Sequence, residues 1–295
     1  MDNKPTYFKS PAVDALREKL HQLRPYLIEG SIEGEADINI IKSRLEVINL
    51  FSSFLLTGKL PKLYRYTINK RVPPFENNRL NEISKLKYPP KESVKRYGRA
   101  NMIGESVLYA TFNPLTALNE MRPEIGDYIT ESQWNQKEET QLCYSPIFLK
   151  TGDNKSGILN ETSIHMFTMF MTELDKKPKE QGQQVYDLMK FIAECFSKEA
   201  KYGNHLDYFL SAHIASKILY VFENGEAEAI LYPSVKENLT LNNICIKPEV
   251  FDNKYTLVEV NESIIRANPK TVTGYYGMQG TGWSRNFEDG LIQWR

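Results

Sequence analysis

The sequence lacks an excess of charge of either sign, because its 295 residues carry 37 basic and 37 acidic side chains. Proteins that bind nucleic acid gain much of their affinity when basic residues neutralise phosphates and release counterions. A chain without a basic stripe is therefore not expected to bind nucleic acid. Single basic pockets for small phosphate ligands are still compatible with this composition.

Long apolar runs are also missing from the sequence. No run approaches the roughly 18 residues that a membrane span requires. The first residues, MDNKPTYFKSP, have no apolar segment of the kind that a secretory signal peptide contains. We therefore expect no membrane association and a cytoplasmic location.

Cysteine and histidine are scarce. Cys143, Cys195 and Cys245 are odd in number and far apart, so the sequence predicts neither a disulfide framework nor a paired-cysteine metal site. The 4 histidines form no HxxxH or HExxH pair. No metal site is expected from these residues.

What the sequence does contain begins with a helical N-terminal extension, residues 1–58. Apolar residues recur at helical spacing within residues 11–27. A second amphipathic helix is predicted from about residue 37 to 56, where Gly58 would end it. This extension fits a small lid, a homodimer surface or a segment buried against the rest of the chain.

Residues 59–270 alternate between strand-like and helix-like segments, and this mixed order favours an α+β fold. A helical insert is predicted at about residues 160–223 from the spacing of its apolar residues. Residues 69–98 are interpreted as a long loop, which in a compact domain is usually functional. The tail, residues 271–295, is rich in glycine and aromatic residues and is expected to be irregular. The strand candidates are LYRYTI, SVLYATF, DYITESQW, TQLCYSPIFL, EAILYPS, NICIKP and YTLVEVNESII.

The stretch GRANMIGESVLYATFNPLTALNEMRP, which begins at Gly98, predicts a turn, a strand and a helix. Asn113 suits the N-cap of that helix and Pro114 its first position. Arg99 lies in the turn and Tyr109 in the strand. Taken singly, these two residues could be an ordinary surface charge and a half-buried strand tyrosine.

Glu120 lies in the helix of this stretch. Leu115, Leu118 and Met121 predict an apolar stripe, and Glu120 falls beside its edge. A carboxylate at a buried edge needs a polar partner or a ligand hydroxyl. The alternative is a solvated helix residue.

Arg65 interrupts the otherwise apolar and aromatic strand candidate LYRYTI. An arginine in such a strand is costly unless it finds an anion or a carboxylate. The alternative is an edge position from which the guanidinium reaches water.

The segment AILYPSVKENLTLNNICI reads as a strand, then Pro233 and Ser234, a polar loop with Asn242 and Asn243, and a second strand. A plain hairpin with ordinary turn residues is the alternative. The serine has no GxSxG context and no histidine at a recognisable offset, so we do not expect a serine hydrolase triad.

Taken in order, these segments resemble the RES-domain family, which is named for its arginine, glutamate and serine. The likeness covers about residues 60–262. The chain departs from the family pattern at Tyr97 and Ala100, where members carry a glycine and a tryptophan. The matching positions are Arg65 in LYRYT, Gly98-Arg99-Ala100-Asn101, Tyr109 in VLYAT, Glu120 in TALNE, and Ser234 in LYPS with Asn242 or Asn243 beyond it.

The resemblance implies a fold similar to that of ADP-ribosyltransferases, with a small split β-sheet around an NAD cleft. Known members are bacterial toxins that hydrolyse or phosphorolyse the nicotinamide–ribose bond of NAD, and they are usually paired with an antitoxin protein. The resemblance therefore implies that NAD is the substrate rather than a cofactor, and that a cognate antitoxin is a partner. An ADP-ribosyltransferase that modifies a macromolecule and a non-catalytic binding module are the alternatives.

The chemistry of this reaction suits the matched residue types. Cleavage passes through an oxocarbenium-like state, which a carboxylate stabilises, and arginines bind the diphosphate. We expect catalysis by Glu120, Arg65 and Tyr109. We expect substrate binding by Arg99, Asn101, Ser234 and Asn243.

Overall fold

The computed structural model describes residues 8–48, 54–147, 158–201, 203–234, 243–269 and 276–295. The α-helices in this part of the chain are α1 (Pro11–His21), α2 (Glu35–Glu46), α3 (Pro114–Met121), α4 (Ile158–Asp175), α5 (Lys179–Ser197), α6 (Phe209–Tyr220) and α7 (Pro248–Lys254). The strands are β1 (Leu56–Gly58), β2 (Leu63–Ile68), β3 (Leu108–Thr111), β4 (Tyr128–Gln136), β5 (Leu142–Pro146), β6 (Ala229–Tyr232), β7 (Asn243–Ile246), β8 (Tyr255–Ala267), β9 (Gly277–Ser284), β10 (Phe287–Glu288) and β11 (Leu291–Ile292). Every helix in these ranges is too short or too polar to be a membrane span.

The chain divides into two compact units, and together they make the protein α+β. We call the first the helical unit and the second the sheet unit. The helical unit comprises Met1–Leu56, Lys95–Glu105 and Tyr144–Leu241. The sheet unit comprises Thr57–Val94, Ser106–Cys143 and Asn242–Arg295.

In the helical unit, the N-terminal helix α1 packs on α5. Ser10 caps α1 by accepting a hydrogen bond from the Val13 amide, and its hydroxyl lies 2.5 Å from a Glu180 oxygen. Nε of Arg17 donates to Asp187 at 2.8 Å. The apolar face of α1 is therefore buried within the unit, against the predicted helical insert.

A buried ion pair joins the segment after α5 to the N-terminal region. Nζ of Lys198 lies 2.6 Å from a carboxylate oxygen of Asp207, and both side chains are almost fully buried. Asp207 also accepts hydrogen bonds from the backbone amides of Gly30 and Lys201, and Lys198 donates to the carbonyl of Tyr26. Such extra hydrogen bonds are what a buried charge pair needs to offset its desolvation.

The sheet unit contains an antiparallel sheet in the order β7-β3-β2-β4-β8-β9. β2 and β4 are paired along the whole of β2, from Leu63 opposite Trp134 to Ile68 opposite Ile129. β2 and β3, in contrast, share a single register pair among the described residues, Tyr64 with Thr111. The two central strands thus separate over most of their length.

Helix α3 covers one face of this sheet. Asn113 accepts a hydrogen bond from the Leu115 amide and Pro114 is the first helical residue, which confirms the predicted start. Ala117 and Leu118 are buried in a cluster with Tyr66, Ile68, Ile129 and Ile265. The opposite face is covered by α7, where the ring of Phe251 contacts the buried Trp134.

The predicted apolar stripe of α3 is confirmed at Leu118 and wrong at Leu115, which is 64% exposed. Ala117 is buried beside Leu118, and Met121 packs against the same cluster. The helix has only 8 residues, and the sheet that it meets decides which of its sides is buried. Glu120 is consequently exposed and does not lie at a buried edge.

Two other predicted segments differ from the structure. The second helix ends at Glu46, and Leu56–Gly58 forms strand β1. From residue 276 onward the tail is not irregular, because Gly277–Ser284 forms β9 and pairs with β8. Glycine has a low strand propensity, so this strand is specified by pairing with β8 rather than by local sequence.

The C-terminal residues hold part of the long loop against the sheet. Arg79 forms a 2.9 Å ion pair with the buried Glu262 of β8 and lies 4.9 Å above the Trp294 ring. The Trp294 indole donates to the Leu80 carbonyl, and the Ile292 amide donates to the Asn81 carbonyl. This part of the predicted loop is thus fixed by four close contacts.

Candidate functional site

Arg65 lies in β2, where the strand parts from β3. Alternation along β2 places its side chain on the face opposite to Tyr66, which packs under α3. Nη1 donates a 2.7 Å hydrogen bond to the carbonyl oxygen of Tyr109. The guanidinium therefore donates a hydrogen bond to β3 at a position where no backbone pairing joins β2 to β3.

The guanidinium of Arg65 is short of partners. Its Nε atom is shielded from solvent and has no hydrogen-bond acceptor among the described residues. In the same part of the chain, no carboxylate forms an ion pair with Arg65. Burial disfavours the charged form and lowers the pKa of Arg65 to about 10.

Glu120 and Asn243 form the second element of the site. Nδ2 of Asn243 donates to Oε1 of Glu120 at 3.2 Å. Asn243 is only 4% exposed, and its Oδ1 atom is buried without a partner in the described ranges. Since Glu120 belongs to α3, this contact places Asn243 on the α3 face of the sheet.

Strand β3 links these two elements. Asn243 is opposite Thr111 in the register of β7 and β3, and Tyr109 is two residues from Thr111 on the same face. Two residues of a strand span about 7 Å. The carbonyl that binds Arg65 and the strand position that faces Asn243 are therefore about 7 Å apart along β3. The Arg65 side chain and the Glu120–Asn243 pair nevertheless lie on opposite faces of the sheet.

Four of the predicted site residues thus share the sheet unit, namely Arg65, Tyr109, Glu120 and Asn243. Arg99, Asn101 and Ser234 belong to the helical unit. Ser234 is fully buried just after β6. Asn242 lies outside the described residues.

Arg99 and Asn101 make structural contacts within the helical unit. Nη1 of Arg99 donates to the carbonyls of Phe196 and Lys198 at the end of α5, and its guanidinium lies 5.1 Å from the Tyr208 ring centre. A cation at a helix C-terminus satisfies carbonyls that have no partner within the helix. The Asn101 side chain donates to the carbonyls of neighbouring residues and so closes its own turn.

One polar pair near Arg65 has no counterpart in the predicted site. The Tyr66 hydroxyl donates to the carboxylate of Glu131, which faces it across β2 and β4. Burial and the neighbouring carboxylate raise the pKa of Tyr66. Strand alternation in YITESQW could have placed Glu131 on this face, but only the register with β2 identifies its partner.

A separate cleft of about 460 Å³ lies in the helical unit, and none of the predicted site residues lines it. It is lined by Gly30, Ile32, Glu33, Lys201, Gly203 and Asn204. Within the described ranges, no group of three or more histidine, cysteine, aspartate or glutamate side chains could hold a metal ion.

Comparison of the chain with protein-family models, with curated protein sequences and with solved structures gives no match.

Proposed function

We propose that this protein cleaves the nicotinamide–ribose bond of NAD and transfers the ADP-ribosyl group to water or phosphate. The observation that carries the proposal is the state of Arg65. A buried guanidinium without a carboxylate partner gains most from an anionic ligand, because the ligand supplies the charge and the acceptors that the protein does not. A diphosphate offers both, with a geometry that suits the planar fork of arginine.

Further support comes from the separation of β2 and β3 beyond a single register pair at the end of β3. The RES-domain resemblance implies a split sheet of the ADP-ribosyltransferase kind, with the substrate at the split. Arg65 and Tyr109 lie on the two strands that separate, and Glu120 lies on the helix over one of the two faces. The proposal places the diphosphate near Arg65 on one face and the ribose near Glu120 on the other, so the substrate would have to pass between β2 and β3.

The reaction requires little from the protein beyond binding and charge. The C1′–N bond breaks, and its electron pair leaves with nicotinamide and neutralises the pyridinium ring. The positive charge that develops on the ribose is stabilised by the carboxylate of Glu120, as in glycoside hydrolysis. Water or phosphate then attacks C1′, and water loses a proton to the solvent. The Tyr109 ring would flank the substrate.

The other predicted roles are proposed only because of the RES-domain resemblance. The resemblance implies that Ser234 binds a ribose or carboxamide group and that Arg99 and Asn101 bind substrate, and these roles stay predictions. Because Nη1 of Arg99 is held by two backbone carbonyls, its contribution would come from the other guanidinium nitrogens. A role as a toxin held in check by an antitoxin, and a cytoplasmic location, belong to the same proposal.

The test is incubation of the purified protein with NAD, with and without phosphate, followed by chromatography of the products. Nicotinamide with ADP-ribose indicates hydrolysis, and nicotinamide with a phosphorylated ADP-ribose indicates phosphorolysis. Label from NAD on a macromolecule in lysate would instead support ADP-ribosyl transfer. Intact NAD after incubation, together with no heat of NAD binding in calorimetry, would refute the proposal and favour a non-catalytic module.

A further inference from the structure

Asn243 is more rigidly held than the residue it contacts. It is the first residue of β7, is 4% exposed and lies opposite Thr111. Oγ1 of Thr111 donates to the carbonyl of Asn113, the N-cap of α3, at 2.6 Å. β7, β3 and the start of α3 are therefore joined around Asn243.

Glu120 is in the last turn of α3, and its side chain is exposed. An exposed glutamate samples several rotamers, and productive catalysis requires one of them. The Asn243 amide, 3.2 Å from Oε1, selects the rotamer that lies over β7. Functional side chains are commonly held in place by hydrogen bonds from buried neighbouring residues, and the Asn243 amide has this relation to the Glu120 carboxylate.

We propose that Asn243 is a positioning residue for Glu120, an inference that rests on the proposed function. Nδ2 fixes the orientation of the carboxylate. Oδ1 is buried and lacks a donor among the described residues. The carboxylate held in this orientation would accept a hydrogen bond from a hydroxyl of the substrate ribose.

The pairing itself is tested without any measurement of activity. The side-chain amide resonances of Asn243 should move in NMR spectra when Glu120 is replaced by alanine, because the amide then loses its acceptor. The Glu124→Gln variant should leave these resonances in place. Asn243 amide signals that are identical in the parent and in Glu120→Ala would overturn the inference.

The role in turnover is tested with NAD. Asn243→Ala should lower kcat by roughly 10- to 100-fold and change KM less, since a mispositioned group costs mainly transition-state stabilisation. In the Glu120→Gln background the same substitution should have little further effect, because the two residues act as a unit. An Asn243→Ala protein that is folded and turns over NAD at the parent rate contradicts the role.

The Asn243→Asp variant keeps the shape of the side chain if the alanine variant does not fold. It places a second carboxyl against Glu120, and two carboxylates at this separation compete for one negative charge. The acidic limb of the pH–rate profile should therefore move to higher pH, and an unmoved limb counts against the inference.

A matched control is Asn69→Ala, which removes another buried asparagine of the sheet unit from its contacts with Thr130 and Glu262. It should lower the melting temperature and leave kcat per folded molecule unchanged. If the parent protein does not consume NAD, the proposed function fails, whereas the NMR comparison of the parent with Glu120→Ala still decides whether Asn243 holds Glu120.

Discussion

Arg65 donates a hydrogen bond to the carbonyl oxygen of Tyr109 across the gap where β2 and β3 stop pairing. In a regular ladder that carbonyl would accept from a backbone amide of the neighbouring strand. A charged side chain has replaced the amide, and its Nε atom remains unsatisfied in the described part of the chain. If the Tyr109 carbonyl oxygen only needed a hydrogen-bond donor, an uncharged side chain would be sufficient at position 65.

Substitution of Arg65 by methionine should therefore separate stability from function. Removal of a desolvated charge without a carboxylate partner should leave the free energy of unfolding unchanged or raise it, because apolar residues often replace buried charges without loss. Turnover of NAD should fall by roughly 100-fold or more with the loss of the anion contact. Urea unfolding and NAD turnover of the same preparation measure the two effects.

Arg79 provides the matched control for this prediction. It belongs to the same unit, but it pairs with the buried Glu262. Arg79→Met would leave that carboxylate buried without its cation, at a cost of about 3 to 5 kcal/mol. Equal destabilisation by the two substitutions would show that Arg65 is a structural residue like Arg79.

Glu120→Gln tests the charge of the proposed catalytic residue without removing its contact with Asn243, since the amide oxygen of glutamine also accepts a hydrogen bond. We expect unchanged thermal stability, NAD binding close to that of the parent, and a fall in kcat on the order of 100-fold or more. Glu124→Gln is the control, because Glu124 is exposed and pairs with Lys70 just beyond α3. Parent-level turnover by Glu120→Gln would exclude the assignment.

The buried ion pair of the helical unit predicts how stability depends on pH. Burial acts to raise the pKa of Asp207, and hydrogen bonds from Lys198 and from two backbone amides outweigh it, so that the pKa lies below its ordinary value of 3.8. A group with a lowered pKa stabilises the fold above that ordinary value, and the contribution is lost as the pH falls through the lowered pKa. The same burial lowers the pKa of Lys198.

Asp207→Asn should consequently reduce the free energy of unfolding by about 3 to 5 kcal/mol at neutral pH, because it leaves the Lys198 ammonium buried without a counter-charge. The loss of stability as the pH falls below the ordinary aspartate pKa of 3.8 should also become shallower than in the parent. Asp14→Asn is a suitable control, since the Asp14 side chain is mostly exposed where it pairs with Arg17. Denaturant unfolding at several pH values distinguishes the two variants.

Local signals in the sequence predicted some of these features well. The Asn113–Pro114 start of α3 and the strand LYRYTI depend on cap chemistry and on β-branched or aromatic residues, and the structure confirms both. The outward position of Leu115 was not predictable, because the rotation of a short helix is decided by the sheet it meets. The carbonyl partners of Arg99 could not be predicted from local sequence either, because they lie at the end of α5, about 100 residues away in the chain.

Strand β9 is the clearest example of an element that the sequence did not predict. It also supplies a further prediction. A β-carbon added at Gly282 would lie 2.7 Å from Nη2 of Arg79 and 3.2 Å from the Trp294 ring. Nη2 cannot move away freely, because the same nitrogen pairs with Glu262 and donates to the Thr281 carbonyl. Gly282→Ala should therefore displace Arg79 and lower the free energy of unfolding by about 1 to 3 kcal/mol.

Gly280 lies two residues earlier in β9, and a β-carbon added there would meet no atom within 4 Å. Gly280→Ala should be neutral or stabilising by about 0.4 to 1 kcal/mol, because alanine restricts the unfolded chain. The comparison isolates the close approach of Arg79 from the general effect of removing a glycine. If both variants unfold at the same urea concentration, the contact between Arg79 and β9 contributes nothing to stability. A selective loss in Gly282→Ala would establish that this glycine is required where the Arg79–Glu262 pair crosses the strand.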